Sequence, residues 1–468
     1  VYTTRDGLRE DFTGDGTGCE LMKSQQITMT TMVKVGDKIK LSVETSDGKL
    51  EIEGLQGTWE NGKTIEYTVS APTILLKGKI TALNCQNCLL TGIDLSKCSQ
   101  LTSLRCSWNK LQQLDVSHLP LLQELRCSWN ELSTLDLSNN KDLRLLFCSQ
   151  NKLQSLDLHT VPLLENLYGS FNPLGSIDLK DNLKLQVLSL EQTNLESIDI
   201  SMLPELSYIE LSDNALKAID LSQATGLETL SVKANKLSSI DLKNNVQLVY
   251  LDCSKNQLPS IDLSKALKLK KLYCNDNQLL KLNLASLEAL EELACGNNQL
   301  TSLDLSPLPA LGALSCYGNK LENVDLQYNQ GLQSLIIGNN KIRELSLEKN
   351  KNIAFIDCFG NAITGKAMTD LMTSLPQRLS DDEASIYIID GTDQSEENVC
   401  LDTDVAIARA KNWIVYDYNG GYDDAKVYAG KETALDFPTN YKASRIYQGQ
   451  NGSVMVETAP YADIALYD

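Results

Sequence analysis

The sequence predicts a mainly β solenoid of about fourteen coils, because a frame of 21 residues recurs without a slip from about Ile80 to Ile363. One slot of this frame holds Asn in twelve of fourteen repeats, and the slots five residues before it and two residues after it always hold Leu or Ile. A period this strict indicates stacked units, each buried only by its neighbours. The Asn slot holds Cys88, Asn109, Asn130, Asn151, Asn172, Thr193, Asn214, Asn235, Asn256, Asn277, Asn298, Asn319, Asn340 and Asn361.

Each repeat has two halves with similar apolar spacing. The letters LTSLRCSWNKL predict a short strand in which Leu104 and Cys106 point inward and Arg105 points outward. The Asn follows at a turn, where its side chain is predicted to satisfy backbone groups of its own coil and of the adjacent coil. The second half reads LQQLDVS at 111–117. No repeat has helical spacing, so we expect extended backbone in both halves.

These letters resemble the leucine-rich repeat pattern L-x-x-L-x-L-x-x-N/C-x-L. The second half, for example LPSIDLS at 258–264, further resembles the 21-residue bacterial subclass related to the internalins. The resemblance implies a right-handed leucine-rich repeat solenoid over residues 79–363. It also implies export to the cell surface or the medium, and adhesion to a host or neighbouring-cell protein through the concave face of the repeat sheet.

Residues 1–26 are polar and rich in Gly, which predicts a flexible N-terminal segment. Apolar and polar residues then alternate in ITMTTMV, KIKLSVET, KLEIEG and KTIEYTV, which predicts an N-terminal β cap at 27–78. A cap is expected there because an uncovered terminal coil would expose its Leu core and its strand edge. This segment resembles the N-terminal β modules of Bacteroidetes surface repeat proteins.

The frame ends after Ile363, where helical spacing in GKAMTDLMTSLPQ is followed by the strand letters ASIYIID. A second helix around 402–411 and the strand NWIVYDY complete a predicted α/β cap at 364–421, which is expected to extend and close the sheet. Residues 422–468 are predicted to form a linker and a small β tail. The tail resembles the start of the β-sandwich sorting domains of secreted Bacteroidetes proteins.

Charge and composition exclude several classes of function. The net charge is −19, which argues against nucleic-acid binding, since neutralising phosphates requires basic patches. The chain has no run of eighteen apolar residues, so no transmembrane segment is predicted. It begins with Val1 rather than Met, from which we expect that any signal peptide has been removed.

Nine of the thirteen cysteines occupy one inward slot that elsewhere holds Leu, Val, Ile or Gly. This interchange is typical of a small buried hydrophobic residue, so we predict inert core thiols, no metal and no cofactor. The nine are Cys85, Cys106, Cys127, Cys148, Cys253, Cys274, Cys295, Cys316 and Cys358.

The second half of the repeat carries an outward Asp in eleven of thirteen coils, from Asp94 to Asp325. Neighbouring carboxylates about 4.8 Å apart repel each other by roughly 1 kcal/mol in water, so a compensating interaction is expected. The favoured interpretation is hydrogen bonding from the adjacent coil's backbone or from the Ser two residues on. Calcium bridging is the alternative.

Candidate ligand-binding residues lie in the outward slots of the first half of each repeat, because a ligand can contact these side chains. These slots are six, four, two and one residues before the Asn. Aromatic side chains are absent from the core slots and gather here. Such rings each offer about 150–250 Å², so their sum would reach or exceed the largest apolar patch of an ordinary monomer. The predicted site comprises Arg105, Trp108, Arg126, Trp129, Phe147, Tyr168 and Phe171, with a second cluster of Tyr208, Tyr250 and Tyr273 and a third of Tyr317, Phe355 and Phe359.

Two interpretations of these rings remain open. Stacked rings and Ser rows can stiffen the sheet. Aromatic residues with Arg are also frequent anchors of protein interfaces, which favours a surface that binds a protein partner. Trp and Tyr platforms also suit the faces of sugars, so a glycan is the alternative ligand. The protein itself is expected to be a monomer. A spacer without a specific ligand is a further alternative. An enzyme is not predicted, because the only histidines, His118 and His159, lie on different coils and no catalytic motif is present.

Overall fold

The computed structural model describes residues 25–432 throughout. The greater part of the predicted flexible segment (1–26) and of the predicted linker and tail (422–468) lies outside the described residues. Beyond residues 25–432 the structure describes the backbone of two antiparallel strand pairs, Tyr2–Thr3 with Arg9–Glu10 and Ala443–Gln448 with Val454–Thr458.

The chain divides into two compact units, Val1–Thr225 and Gly226–Asp468. The first unit begins with antiparallel strands whose alternate side chains are buried, as the alternating letters predict. One of them, Lys38–Thr45, pairs with Ile80–Asn84 and so covers the edge of the first coil's strand. These strands are Gln26–Thr31, Lys38–Thr45, Glu51–Glu53, Leu55–Gln56, Thr64–Val69 and Thr73–Lys77.

Parallel strands stack one per coil in the first unit. Each residue pairs with the residue 21 positions on, so Leu104 lies beside Leu125. Only the central residue of each short strand is fully buried, and the two flanking side chains point outward. The strands are Ile80–Asn84, Ser103–Arg105, Glu124–Arg126, Leu145–Phe147, Asn166–Tyr168, Val187–Ser189 and Tyr208–Glu210.

The second unit repeats this arrangement and extends it with larger coils. Helices α1 (Lys366–Ser374) and α2 (Asp402–Ala410) each precede a further parallel strand, as the sequence predicted. The Nε1–H of buried Trp413 donates to the Pro376 carbonyl (2.9 Å). The strands are Thr229–Ser231, Tyr250–Asp252, Lys271–Tyr273, Glu292–Ala294, Ala313–Ser315, Ser334–Ile336, Phe355–Asp357, Ser385–Ile389, Ile414–Asp417 and the antiparallel Lys426–Val427; a 3-10 turn spans Tyr422–Asp424.

The second half of the repeat forms a ladder strand in the first coil only. Leu90–Lys97 is a strand, because Gln26–Thr31 pairs with it, but from residue 98 to 363 the equivalent segments are neither strand nor helix. The N–H of Glu131 donates to the Leu111 carbonyl of the preceding coil (2.8 Å), and the ladder does not continue along that segment. The apolar spacing therefore correctly predicted inward side chains and a second half without a helix.

The Asn row binds successive coils as predicted. Oδ1 of Asn109 accepts the N–H groups of Cys88 (3.0 Å) and Leu90 (2.9 Å). Its Nδ2 donates to the carbonyls of Cys85 and Cys106, both at 2.9 Å. One buried side chain thus satisfies four backbone groups of two coils.

A second buried Asn row was not predicted. Nδ2 of Asn140 donates to the carbonyls of Val116 (3.0 Å) and Leu119 (2.8 Å), while its buried Oδ1 has no hydrogen-bond partner among the described residues. The slot also holds Leu119 and Leu203, so the amide is not required in every coil. The other members of this row are Asn182, Asn245, Asn329 and Asn350.

The twelve cysteines within residues 25–432 are buried free thiols. Cys106, Cys127 and Cys148 occupy the same inward slot of consecutive coils and are fully buried. Burial raises the pKa of Cys106 and of Cys148 to about 12, which keeps these thiols protonated and unreactive at neutral pH.

Candidate functional site

Two arginines of the predicted site share one carboxylate. Arg105 donates from Nε and Nη2 to the two oxygens of Glu124 at 3.1 and 3.0 Å, and Arg126 donates from Nε to the same group. The hydroxyl of Ser103 completes the set at 2.8 Å. Parallel pairing places Ser103 beside Glu124 and Arg105 beside Arg126, so the sheet register builds this cluster.

Glu124 is a site residue that the sequence did not predict, because the outward slots point to a binding surface through their rings and cations. Burial acts to raise the pKa of Glu124, but hydrogen bonds from Arg105, Arg126 and Ser103 outweigh it, so the pKa lies below its ordinary value. The carboxylate is ionised at neutral pH and holds both guanidinium groups in place. The signal that could have identified Glu124 is its position on the outward face next to Arg105 and Arg126, which occupy the same slot of neighbouring repeats.

The arginines lead into a column of rings on the same strand slot. The guanidinium carbon of Arg126 lies 4.3 Å from the ring centre of Phe147. The Phe147 ring stacks on Tyr168 with centres 4.3 Å apart and planes 12° apart. We call Arg105, Arg126, Phe147 and Tyr168 the strand column; its planar groups are half-exposed and fixed by their neighbours.

Trp108 and Trp129 lie in the turn after the strand, not on the strand as their slot was first interpreted. Their rings stack with centres 4.2 Å and planes 9° apart. They are 52% and 44% exposed, and both have left-handed backbone, with φ of 60° and 58°. Such a conformation costs a bulky residue about 1 kcal/mol or more. We call these two residues the Trp pair.

Phe171 occupies the same turn slot two coils further on, with φ of 58°, and is half-buried. Gln150 holds this slot in the coil between Trp129 and Phe171. The structure therefore places Phe171 in the row of the Trp pair but separates it from the stack by one coil.

The second predicted cluster is divided between the units. Tyr208 belongs to the first unit and is partly exposed. Tyr250 and Tyr273 lie together in the second unit, with ring centres 5.6 Å apart. The Tyr273 hydroxyl donates to Glu292, which also pairs with Lys271 at 2.7 Å.

The third cluster is larger than predicted, and one of its members is inside. Phe359, placed in an outward slot by the sequence, is 7% exposed and stacks on Tyr418 (4.2 Å). Tyr422 contacts Phe355, and its hydroxyl donates to buried Asp357 at 2.5 Å. Burial raises the pKa of Asp357 to about 7. These extra rings come from the C-terminal coils, where the 21-residue frame gives no guide.

The Asp row is satisfied within each coil. The N–H of Ser117 donates to Oδ1 of Asp115 at 2.9 Å, and this contact to the residue two positions on recurs along the row. In some coils the Ser hydroxyl adds a bond, as Ser201 does to Asp199 at 2.7 Å. Within residues 25–432, no group of three or more His, Cys, Asp or Glu residues is arranged to hold a metal ion.

A cleft of about 390 Å³ lies in the second unit between the last coils and the loop at 393–397. Lys341, Arg343, Asp393 and Glu397 are among the side chains that line it. Both histidines of the chain lie in the first unit, so this cleft offers charged groups but no imidazole base.

The chain was compared with known proteins. No protein-family model and no curated protein matches it. Among solved structures, it is similar to the functional domain of InlJ from Listeria monocytogenes, described as including a cysteine ladder. The identity is 27%, the TM-score is 0.58, and the match covers 65% of this chain and 73% of that one. A leucine-rich repeat protein of Leptospira interrogans matches with 25% identity and a TM-score of 0.52, over 57% of this chain and 81% of that one.

The chain has a leucine-rich repeat fold. Its structural neighbours are internalin-like leucine-rich repeat proteins, so the resemblance stated from the sequence is confirmed at the level of the fold. The leucine-rich repeats carry their own run of stacked core thiols at Cys106, Cys127 and Cys148. Among the described residues, neither helix has the length and apolar character needed to cross a bilayer.

Proposed function

We propose that this protein is an exported, adhesin-like binding protein of a Bacteroidetes cell surface that recognises a host or neighbouring-cell protein. The repeats at 79–363 act as the recognition module between the caps at 27–78 and 364–421, and the protein acts as a monomer without a cofactor. Internalin-like neighbours support a protein-interaction role for such repeats.

The Trp pair is the observation that carries this proposal. Two large rings occupy left-handed turn positions and remain about half exposed. The same turn slot holds Asn297 and Asn339 in the second unit, and Asn adopts this backbone at lower cost. Folding alone therefore favours Asn, and retaining Trp at both positions is explained by contact with a partner.

The strand column adds area and chemistry to the same unit. Arginine and aromatic side chains that are already fixed lose little conformational entropy on binding. A glycan-binding surface is the second candidate, supported by the flat Trp pair as a platform for a sugar face. A spacer without a specific ligand would leave stacking within the sheet as the only role of these exposed, strained rings.

The test is binding of the full chain to arrays of purified host-cell proteins and glycans. The Trp108→Asn/Trp129→Asn variant is expected to lose its specific protein ligand by at least about 100-fold in affinity, since interface Trp residues commonly contribute 2 kcal/mol or more each. Its melting temperature should change little, because the relief of backbone strain offsets the loss of ring stacking.

Tyr328→Asn is the matched control, since Tyr328 is 52% exposed but lies in the second unit. It should bind as the unchanged protein does. Specific hits confined to glycans would favour the second candidate, and unchanged binding by the Trp variant would contradict the proposed surface.

A further inference from the structure

The guanidinium of Arg126 is held on two sides and open on the third. Its Nε donates to Glu124, and its face lies on the Phe147 ring. Within residues 25–432 no protein acceptor contacts its Nη1 or Nη2, and the side chain is 35% exposed. These two nitrogens therefore keep N–H groups that the described residues leave unused, on a guanidinium that Glu124 and Phe147 hold in place.

Arg105 is arranged in the same way on the neighbouring strand. Its Nε and Nη2 are used by Glu124, and in the described part of the chain Nη1 has no protein acceptor. The Arg105 side chain is 43% exposed, whereas that of Glu124 is 12% exposed. The negative group thus lies inside and the open donors lie outside, on strands about 4.8 Å apart.

The local charge differs in sign from that of the whole chain. The outward strand slots of five consecutive coils, between Ala82 and Ser170, contain Arg105, Glu124 and Arg126 as their only charged residues. Their sum is positive in a chain of net charge −19. Charges are screened beyond about 8 Å at physiological salt. The electrostatic potential that a ligand experiences at this position is therefore set by the nearby charges more than by the net charge of the chain.

We propose that Arg105 and Arg126 form a carboxylate-binding fork that recognises an Asp or Glu side chain of the protein partner, beside an apolar side chain packed on Phe147 and Tyr168. A carboxylate is favoured because its planar pair of oxygens matches the edge of a guanidinium. Glu124 and Phe147 already fix Arg126, so binding does not have to order it. This inference rests on the proposed protein-binding function and names the chemistry of its partner.

The experiment selects binders from a randomised peptide library displayed on phage, using the full chain as bait. Enriched peptides are expected to contain Asp or Glu. Replacing this acidic residue of the peptide by its amide, Asp by Asn or Glu by Gln, should weaken binding about 10- to 100-fold, the usual effect of losing a hydrogen bond to a charged group. Against the Arg105→Lys/Arg126→Lys variant, which keeps the charge but removes the fork, the same replacement should have little effect.

Arg144→Lys is the matched control, because Arg144 is similarly exposed in the same unit. Its Nη1 pairs at 2.6 Å with Glu165, which is not part of the Arg105–Glu124–Arg126 cluster. It should respond to the peptide replacement as the unchanged protein does, and melting curves check that all variants fold. Peptides without acidic residues, or an equal effect on the double variant, would overturn the fork and leave the proposed function standing. Enrichment of no peptide would overturn both, and binding of dextran sulfate in that case would indicate a sulfated glycan instead.

Discussion

Replacing Asn109 by Leu is expected to lower the free energy of unfolding of the first unit by about 3–5 kcal/mol. The change removes the side-chain partner of two backbone N–H groups, those of Cys88 and Leu90, and of the Cys85 carbonyl. The Cys106 carbonyl keeps a second donor, Nδ2 of Asn130 at 3.0 Å. The other three groups lie in the interior, where an unsatisfied polar group carries its full desolvation cost. Urea unfolding followed by circular dichroism measures the effect.

Asn140→Leu is the matched control, since it is the same substitution in a buried row of the same unit. Its Oδ1 has no hydrogen-bond partner within residues 25–432, and Leu119 already occupies the equivalent slot one coil earlier. We therefore expect a change within about 1 kcal/mol. Equal losses from the two substitutions would show that burial of an amide, not its pattern of bonds, determines the stability of the coils.

The second large effect concerns Asp357 and pH. Its folded pKa of about 7 lies above the ordinary value because the carboxyl is buried, with Tyr422 as its hydrogen-bond donor. The folded state therefore binds a proton that the unfolded state releases near pH 4. The stability contributed by the protonated group is fully present below pH 4 and is lost as pH rises through 7.

Asp357→Asn should remove this dependence. Relative to the variant, the unchanged protein is expected to lose about 2–4 kcal/mol of unfolding free energy between pH 4 and pH 8. Asp252→Asn serves as the control, since Asp252 occupies the same strand slot but accepts the Ser254 N–H at 2.9 Å. If the unfolding free energies of the unchanged protein and of Asp357→Asn change in parallel with pH, the raised pKa of Asp357 is contradicted. The comparison uses denaturant melts at both pH values.

The 21-residue frame was sufficient to predict the inward Leu and Cys residues and the Asn row that begins at Asn109, because these residues depend only on contacts between similar neighbours. It did not predict the second buried Asn row, whose slot holds Asn in only some coils. It could not predict Glu124, whose role arises from side chains of two different slots meeting across two strands. It also could not predict the Asp357 cluster, since Tyr387, Tyr418 and Tyr422 lie beyond the repeat. The turn position of Trp108 was missed for another reason: strand length is set by backbone pairing, which apolar spacing does not reveal.

The most direct measurement of the proposed surface is hydroxyl-radical footprinting of the full chain, alone and with the protein ligand found on the arrays. Trp108 and Trp129 are about half exposed and should be oxidised in the free protein. Binding is expected to reduce their labelling strongly and to leave Tyr328 unchanged. Undiminished labelling of the Trp pair in a saturated complex would contradict the account, because the partner would then dock elsewhere.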